Sequence, residues 1–465
     1  MARILKIYNE NFLVVGLSKS GISASKLLLS KGAKVFLYDQ AERARIDSAL
    51  KELTTLGAVE VQEEGVETAI KNAHVVVLSP GVPIDHPIAL KASQLKKRVI
   101  GELELGSLFI KAPIVAVTGT NGKTTTVSMI EWTLKNAGVH ALALGNVGVP
   151  LTSAADSFPE KGVAVVEVSS FQLETVRSFT PHIGVLMNLT QDHLNRHYSM
   201  KIYGQLKART FQNMRESEYA VFNEASALSH EIARKTKAQV IWFSTEKEVP
   251  GAYVQGSDIY YMGEPLFSVH DLALKQKHNV ENALATVAVC KLLGIDNEVL
   301  RQSLAKFRGA KHRLEVVCTQ KGINYINDSK ATNPDATLSA VKCMKKPTVL
   351  LLGGQEKGYD YRSLFRDLLQ SAVRYCIFYG ENREKLIKDA LNEGFTTYSV
   401  VENLWQAVRV GQTVAKAGET VLLSPASASF DEFNGYEQRG NTFKNYVTGR
   451  KGNGNENNAT RKGDQ

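Results

Sequence analysis

Six consecutive residues, Gly119-Thr120-Asn121-Gly122-Lys123-Thr124, separate an apolar run, IVAVT, from a helical pattern, KTTTVSMIEWTLKNAG. A strand, a tight glycine loop and a helix N-terminus make an anion site, because free backbone N–H groups and the helix dipole point at the anion. Lys123 adds a point charge suited to terminal phosphates, and the Thr124 hydroxyl is placed to ligate Mg²⁺. The standard phosphate loop has four residues between its glycines. This one has two, Thr120 and Asn121, so ordinary kinases and GTPases fit poorly. The bland alternative is a plain strand-to-helix turn with a chance lysine.

Further polar residues stand where apolar ones are expected. Glu167 interrupts the apolar strand AVVEVSS. A buried carboxylate needs a partner, which is either a structural cation or a metal shared with phosphate. Asp192 and His193 follow a strand in NLTQDHLNRH, and Lys207 comes 14 residues after His193 in the helical stretch IYGQLKARTF. Such a pair is structural or a second metal site. Asn279 and Asn282 lie three apart on one helix face. They suit an adenine edge and equally suit capping of a helix N-terminus. His312, Arg313, Asp328, Lys330, Thr332, Lys357, Ser429 and Tyr436 sit in loops just past strand candidates. Open parallel sheets bind ligands at those ends.

The elements that must position these residues alternate along the chain as short apolar runs and helical patterns, the marks of parallel βαβ units. The first zone opens with FLVVG (12–16) and continues through KVFLYD and HVVVLSPG. Its loop, Gly16-Leu17-Ser18-Lys19-Ser20-Gly21, has Ser18 in place of the middle glycine of a dinucleotide-binding loop. Asp39 stands where a ribose-binding acid is expected. A nucleotide other than a nicotinamide cofactor is the better fit. A second zone begins near Gly106 and a third near Lys311, whose strand candidates are INYIND, TVLLLGG, YCIFYG and TVLLSP.

Composition narrows the classes. The 465 residues suggest about three domains. A net charge of +9 invites a nucleic-acid reading, but no dense Lys/Arg stripe with interleaved aromatics exists. A mild positive balance also suits anionic small substrates. No stretch approaches the roughly 18 consecutive apolar residues of a membrane span. The N-terminus makes a poor signal peptide. Four scattered cysteines without a CxxC pair read as buried thiols in a reducing cytoplasm. The tail 449–465 is polar, rich in Gly and Asn, and expected to be disordered.

Taken in order, GTNGKTTT, EVSSFQLE, NLTQDHLNRH, HNVENALA, HRLE, INDSKATNPDA, LLGGQEKG and SPASASFDEFNGYEQRG resemble the Mur ligases of peptidoglycan synthesis. The likeness runs from about residue 12 to 447 and accounts for the short loop. GTNGKT alone also admits folylpolyglutamate synthase. The resemblance implies an α/β protein of three domains: a Rossmann-like UDP-binding domain over 1–104, a central phosphate-loop ATPase domain with a mainly parallel sheet over 105–310, and a Rossmann-like amino-acid-binding domain over 311–448. It implies an ATP-dependent ligase that adds D-glutamate to UDP-N-acetylmuramoyl-L-alanine through an acyl phosphate. A monomer working in the cytoplasm is expected, with small-molecule partners, no nucleic acid and no membrane span.

Residue roles follow from the same resemblance. ATP is expected at Gly119 to Thr125, Asn279, Asn282, Arg313, Asp328 and Lys330, with Lys123, His193 and Lys207 catalytic. Two Mg²⁺ ions are expected, one at Thr124 and Glu167, the other at His193 and a CO₂-derived carbamate on Lys207. The UDP substrate is expected at Lys19, Ser20, Asp39, Gln40, Gly81 and Asn146. D-Glutamate is expected at Thr332, Lys357, Ser429, Phe430 and Tyr436. ATP residues on two domains imply closure. Other readings remain open at this stage: a sister ligase adding a different amino acid, a phosphate-loop ATPase coupling hydrolysis to conformational work, and a nucleotide-binding regulator without turnover.

Overall fold

The computed structural model describes residues 5–41, 43–146, 149–190, 194–309, 311–356 and 358–449. The expected disordered tail therefore lies outside the described residues from position 450 onward. The chain forms two compact units, Met1–Phe307 and Arg308–Gln465. The first unit carries two sheets and the second carries one.

The N-terminal sheet has five parallel strands in the spatial order Val59–Glu60, Lys34–Tyr38, Asn11–Val15, Val75–Leu78, Arg98–Gly101. The central strands are near-continuous apolar runs because both faces are covered. Phe12, Val14 and Val77 pack on one face, and Leu13, Val15 and Val76 on the other. Strand order reverses between Asn11–Val15 and Val75–Leu78, so a crevice forms at their C-terminal ends.

The second sheet has nine strands. Six run parallel in the order Gln239–Ser244, Tyr219–Asn223, Ile183–Leu186, Ile114–Thr118, Val163–Glu167, Ala141–Gly145. Gly251–Gln255 adds parallel to Gln239–Ser244, and Asp258–Tyr261 and Glu264–Ser268 then extend the sheet as antiparallel hairpins. The helix Lys123–Asn136 packs Val127, Ile130 and Leu134 onto this sheet beside Leu284, Val287 and Ala288 of the helix Lys277–Leu292. One apolar core runs from Phe12 in the first sheet to Ala116 and Val166 in the second, which makes the two sheets one unit.

The second unit's sheet runs Glu315–Gln320, Ile323–Asn327, Thr420–Leu423, Thr348–Gly353, Val373–Tyr379, Tyr398–Val400, parallel except for the first pair. Helices cover both faces, with Phe365 and Phe378 in one core and Tyr325 and Phe443 in the other.

Candidate active site

The strand Ile114–Thr118 lies between Ile183–Leu186 and Val163–Glu167. Registration places Val117 opposite Glu167 and Thr118 opposite Leu186. Gly145 in turn is opposite Glu167. Four adjacent strand ends therefore deliver the 119–124 loop, Glu167, Asn146 and Asn188 to one place.

The loop's two glycines are required by its geometry. Gly119 has φ +139° and Gly122 has φ +83°, both in the region L side chains rarely adopt. A Cβ on Gly119 would stand 2.9 Å from the Met187 Cβ, and one on Gly122 would stand 2.4 Å from Asn282 Oδ1. The loop is also tied to its neighbours. Thr120 N–H donates to the Asn188 carbonyl (3.1 Å), Asn121 N–H to Asn188 Oδ1 (2.8 Å) and Thr190 N–H to Thr120 Oγ1 (3.0 Å). These contacts explain how two intervening residues suffice: the segment that follows the strand Ile183–Leu186 holds part of the loop. The helix Lys123–Asn136 begins directly at the loop, with Thr126 N–H donating to the Gly122 carbonyl at 2.9 Å.

Glu167 is buried, as its place in an apolar strand requires. Its partners are polar: Thr124 Oγ1 donates to Oε2 at 2.7 Å, and Asn146 Nδ2 donates to Oε1 at 2.9 Å. A carboxylate and a hydroxyl thus form an all-oxygen pair beside the phosphate loop. That donor set fits Mg²⁺, which takes one or two protein oxygens and shares the rest with phosphate and water. Among the described residues no three His, Cys, Asp or Glu side chains gather as a metal centre.

Lys123 folds back on its own loop, donating to the Gly119 and Thr120 carbonyls at 2.8 Å each. Lys207, on the helix Met200–Ala208, is almost wholly buried and donates to the same Gly119 carbonyl at 2.9 Å. Its ammonium also lies 4.5 Å from the centre of the Tyr203 ring. Tyr203, four residues earlier on the same helix face, places its hydroxyl 3.3 Å from Thr120 Oγ1. His193, with Asp192, lies outside the described residues. Asn282 is buried behind the loop and accepts from Thr126 Oγ1 at 3.3 Å. Asn279 is less buried and joins it at 3.4 Å.

Of the expected UDP-binding residues, Lys19, Ser20, Asp39, Gln40 and Gly81 lie past strand ends of the first sheet, whereas Asn146 follows the strand Ala141–Gly145 of the second sheet and bonds Glu167. Lys19 opens the helix Lys19–Ser30 and Ser20 follows it. Asp39 accepts from Leu17 N–H (2.5 Å) and Ala41 N–H (2.7 Å), so it braces the loop it was expected to sit beside. Gln40 pairs with His86 at 3.2 Å. The Gly81 carbonyl accepts from Arg196 at 3.4 Å. Arg196, on the short helix Leu194–His197, grips Glu174 with two nitrogens (2.9 and 2.6 Å) and lies over the Phe171 ring. Beside it, buried His197 bonds Ser170 at 2.9 Å and stacks on Tyr203. Sequence reasoning passed over Tyr203, Glu174, Arg196 and His197. The repeated polar residues in HLNRH were the available signal.

In the second unit, Asp328 closes a strand and accepts from Leu314 N–H (3.1 Å) and Ser424 Oγ (2.7 Å). Burial raises its carboxyl to about 6, against the lowering by those two donors and by the Arg313 charge. Lys330 Nζ lies 5.9 Å over the Tyr436 ring, whose hydroxyl is raised by burial and then by its bond with Glu437. Thr332 is half-buried, Ser429 is buried and Phe430 is exposed at the edge of the same sheet end. Lys357 lies outside the described residues. The fully buried Arg439, another residue the sequence did not disclose, donates to Ser329 Oγ (3.0 Å) and to the carbonyls of Ser329 (3.0 Å), Ser427 (2.9 Å) and Ala428 (3.1 Å). It fixes the backbone that carries Ser429 and Phe430.

Comparison with known proteins agrees with this layout. Three family models match in order: the Mur ligase MurD-like N-terminal domain over residues 10–101, the Mur ligase middle domain over 117–290 and the Mur ligase glutamate ligase domain over 312–427. The chain is 39% identical over 446 residues to the UDP-N-acetylmuramoylalanine–D-glutamate ligase of Caldanaerobacter subterraneus, covering 95% of this chain and 99% of that protein. It is 40% identical over 444 residues to the enzyme of the same name from Pelotomaculum thermopropionicum, covering 94% and 97%. Among solved structures, UDP-N-acetylmuramate-alanine ligase from Thermotoga maritima matches with a TM-score of 0.53 at 18% identity, over 95% of this chain and all of that one, a likeness of fold.

Proposed function

The chain belongs to the Mur ligase family, and on that premise we propose that it joins D-glutamate to UDP-N-acetylmuramoyl-L-alanine in an ATP-driven step of peptidoglycan precursor synthesis. The observation that carries the chemistry is the convergence at one loop of Lys123, Lys207 and the Thr124–Glu167 pair.

The reaction has two bond exchanges. The substrate's terminal carboxylate attacks the γ-phosphorus of ATP, an O–P bond forms, and the bond to ADP breaks with its electron pair going to ADP. The D-glutamate amine then attacks the acyl carbon, a C–N bond forms, and phosphate leaves with the C–O electron pair while the nitrogen loses a proton.

This chain's residues serve those exchanges as follows. First-turn N–H groups of the helix Lys123–Asn136 hold the phosphates. Lys123 exchanges two neutral carbonyls for anionic phosphate oxygens, which are stronger acceptors. Thr124 and Glu167 would hold one Mg²⁺, which supplies charge neutralisation at the transferred phosphoryl group. A lysine ammonium cannot ligate a cation. Lys207 is therefore assigned as a carbamate, formed when its neutral amine adds CO₂ and loses a proton, and it is grouped with His193 at a second Mg²⁺. Lys19, Ser20, Asp39, Gln40, Gly81 and Asn146 are assigned to the UDP substrate. Asn279, Asn282, Arg313, Asp328 and Lys330 are assigned to ATP, and Thr332, Lys357, Ser429, Phe430 and Tyr436 to D-glutamate. We read the enzyme as a cytoplasmic monomer. Among the described residues no helix is long and apolar enough to cross a membrane.

The test is phosphate release with ATP, UDP-N-acetylmuramoyl-L-alanine and a panel of amino acids of both hands. Release confined to D-glutamate supports the reading. Release with a different amino acid makes the chain a sister ligase, and steady release without any acceptor makes it an ATPase.

A further inference from the structure

A cavity of about 910 Å³ opens on the far side of the Lys207 helix from the phosphate loop, and none of residues 119–125 lines it. Its walls are the helix Met200–Ala208, the turn after it, and the helix Ala227–Ala233. Its floor is apolar, formed by Leu189, Met200, Phe211, Met214, Leu228 and Ile232. Its margin is cationic. Lys201, Arg215, Lys235 and Lys237 line it and are exposed, against a single lining carboxylate, Glu231. Glu231 pairs with Lys235 at 2.7 Å, so four cations less one anion leave a margin of +3.

Its size is that of a small-molecule site, and its apolar floor with a few polar groups is the usual lining. A purely apolar guest would leave the cations unused, and a small hydrophilic anion would leave the floor uncovered. We propose that this cavity binds a small amphipathic carboxylate, its apolar body on the floor and its head at the lysines, and that occupancy is felt at Lys207. The coupling is geometric. Tyr203 and Lys207 face the phosphate loop, whereas Gly204 and Ala208, each one residue further along the helix, face the cavity. A Cβ on Gly204 would already touch Leu189 and Leu228 at 3.4 Å, so a guest between these groups bears directly on the helix. Binding does not depend on the ligase reading; only the effect on turnover does.

Calorimetric titration of the full chain with decanoate, using decanol as the uncharged control, tests the site. Saturable binding near a Kd of about 100 μM is expected, with decanol at least about tenfold weaker. The Lys201→Glu/Lys235→Glu protein, altered only at exposed positions, should bind decanoate at least about tenfold more weakly while its phosphate release without decanoate is unchanged. Ala208→Phe should block binding by filling the cavity; if that protein fails to fold, the charge-reversed protein still decides. No saturable binding up to about 1 mM, equal binding of decanol, or undiminished binding by the charge-reversed protein each overturns the site. Saturating decanoate should change kcat for phosphate release, and an unchanged kcat at full occupancy overturns the coupling to Lys207.

Discussion

Lys123 and Lys207 donate to one acceptor, the carbonyl oxygen of Gly119, at 2.8 and 2.9 Å. The two lysines come from different elements, the phosphate-loop helix and the helix Met200–Ala208. Two ammonium groups at one carbonyl set like charges close together, and conversion of Lys207 to a carbamate would replace that repulsion with attraction to Lys123. The arrangement gathers both lysines at the first residue of the loop.

Lys207→Ala should therefore remove turnover and spare the fold. The expected loss in kcat for phosphate release is at least about 100-fold, with cooperative unfolding retained. The carbamate assignment predicts that the wild-type protein loses activity in CO₂-free buffer and regains it with bicarbonate. Near-normal phosphate release by Lys207→Ala would remove the residue from the mechanism.

Gly122 and Asn282 should behave as a coupled pair. Gly122→Ala forces a side chain into a left-handed conformation costing about 1–2 kcal/mol. It also drives a methyl group to 2.4 Å from Asn282 Oδ1. The KM for ATP should rise about tenfold or more for Gly122→Ala alone. Adding Asn282→Ala removes the obstacle, so the double variant should be less impaired than the two single effects combined. A double-mutant cycle on KM for ATP reads this directly, and strict additivity contradicts it.

Asp328 predicts a pH dependence of stability. Burial is the largest cause of its raised carboxyl, from 3.8 to about 6. The folded protein therefore holds this proton more tightly than the unfolded chain. The associated stability is fully present below pH 3.8 and is lost as pH rises through about 6, a change on the order of 3 kcal/mol. Asp328→Asn should lack that component. Denaturant titrations of both proteins between pH 4 and 7 should show their stability difference shifting by this amount in favour of the asparagine protein; parallel curves refute the assignment.

Arg439→Met should destabilise the second unit. The fully buried guanidinium serves four carbonyls, that of Gly353 at 3.5 Å, and one hydroxyl. Methionine fills similar space but cannot donate, so the Ser329 and Ser427 carbonyls lose this partner, each at a cost of about 1–3 kcal/mol, while the Ala428 carbonyl keeps the Gln355 N–H. Urea unfolding should report a loss of about 3 kcal/mol or more, and a loss under about 1 kcal/mol would mean the carbonyls find other partners.

Much of the fold was legible because buried parallel strands write themselves as apolar runs. KVFLYD became Lys34–Tyr38, VAVVEVSS became Val163–Glu167, and TVLLLGG became Thr348–Gly353. The phosphate loop was legible because its two glycines carry the positive φ values the turn needs. The hairpins Gly251–Gln255, Asp258–Tyr261 and Glu264–Ser268 were not read, although Gln255-Gly256-Ser257 and Met262-Gly263 mark their turns. Their alternating half-buried pattern is fainter than a continuous apolar run. Arg439 and the Arg196–Glu174–His197 group could not be read, because a charged side chain is buried by partners far away in sequence. Asn282 and Asp39 stood out in the sequence as polar residues, one near a helix start and the other just past a strand. What the sequence did not disclose is that Asp39 accepts from two loop N–H groups and that Asn282 accepts from the Thr126 hydroxyl.

The central claim is phosphoryl transfer to a carboxylate, followed by its displacement by an amine. The most direct measurement uses UDP-N-acetylmuramoyl-L-alanine labelled with ¹⁸O in its terminal carboxylate, with ATP and D-glutamate, and mass analysis of the released phosphate. The account predicts that each phosphate carries one carboxylate oxygen, because the bridging C–O–P oxygen leaves with it. Unlabelled phosphate accompanying amide product would contradict the acyl-phosphate route.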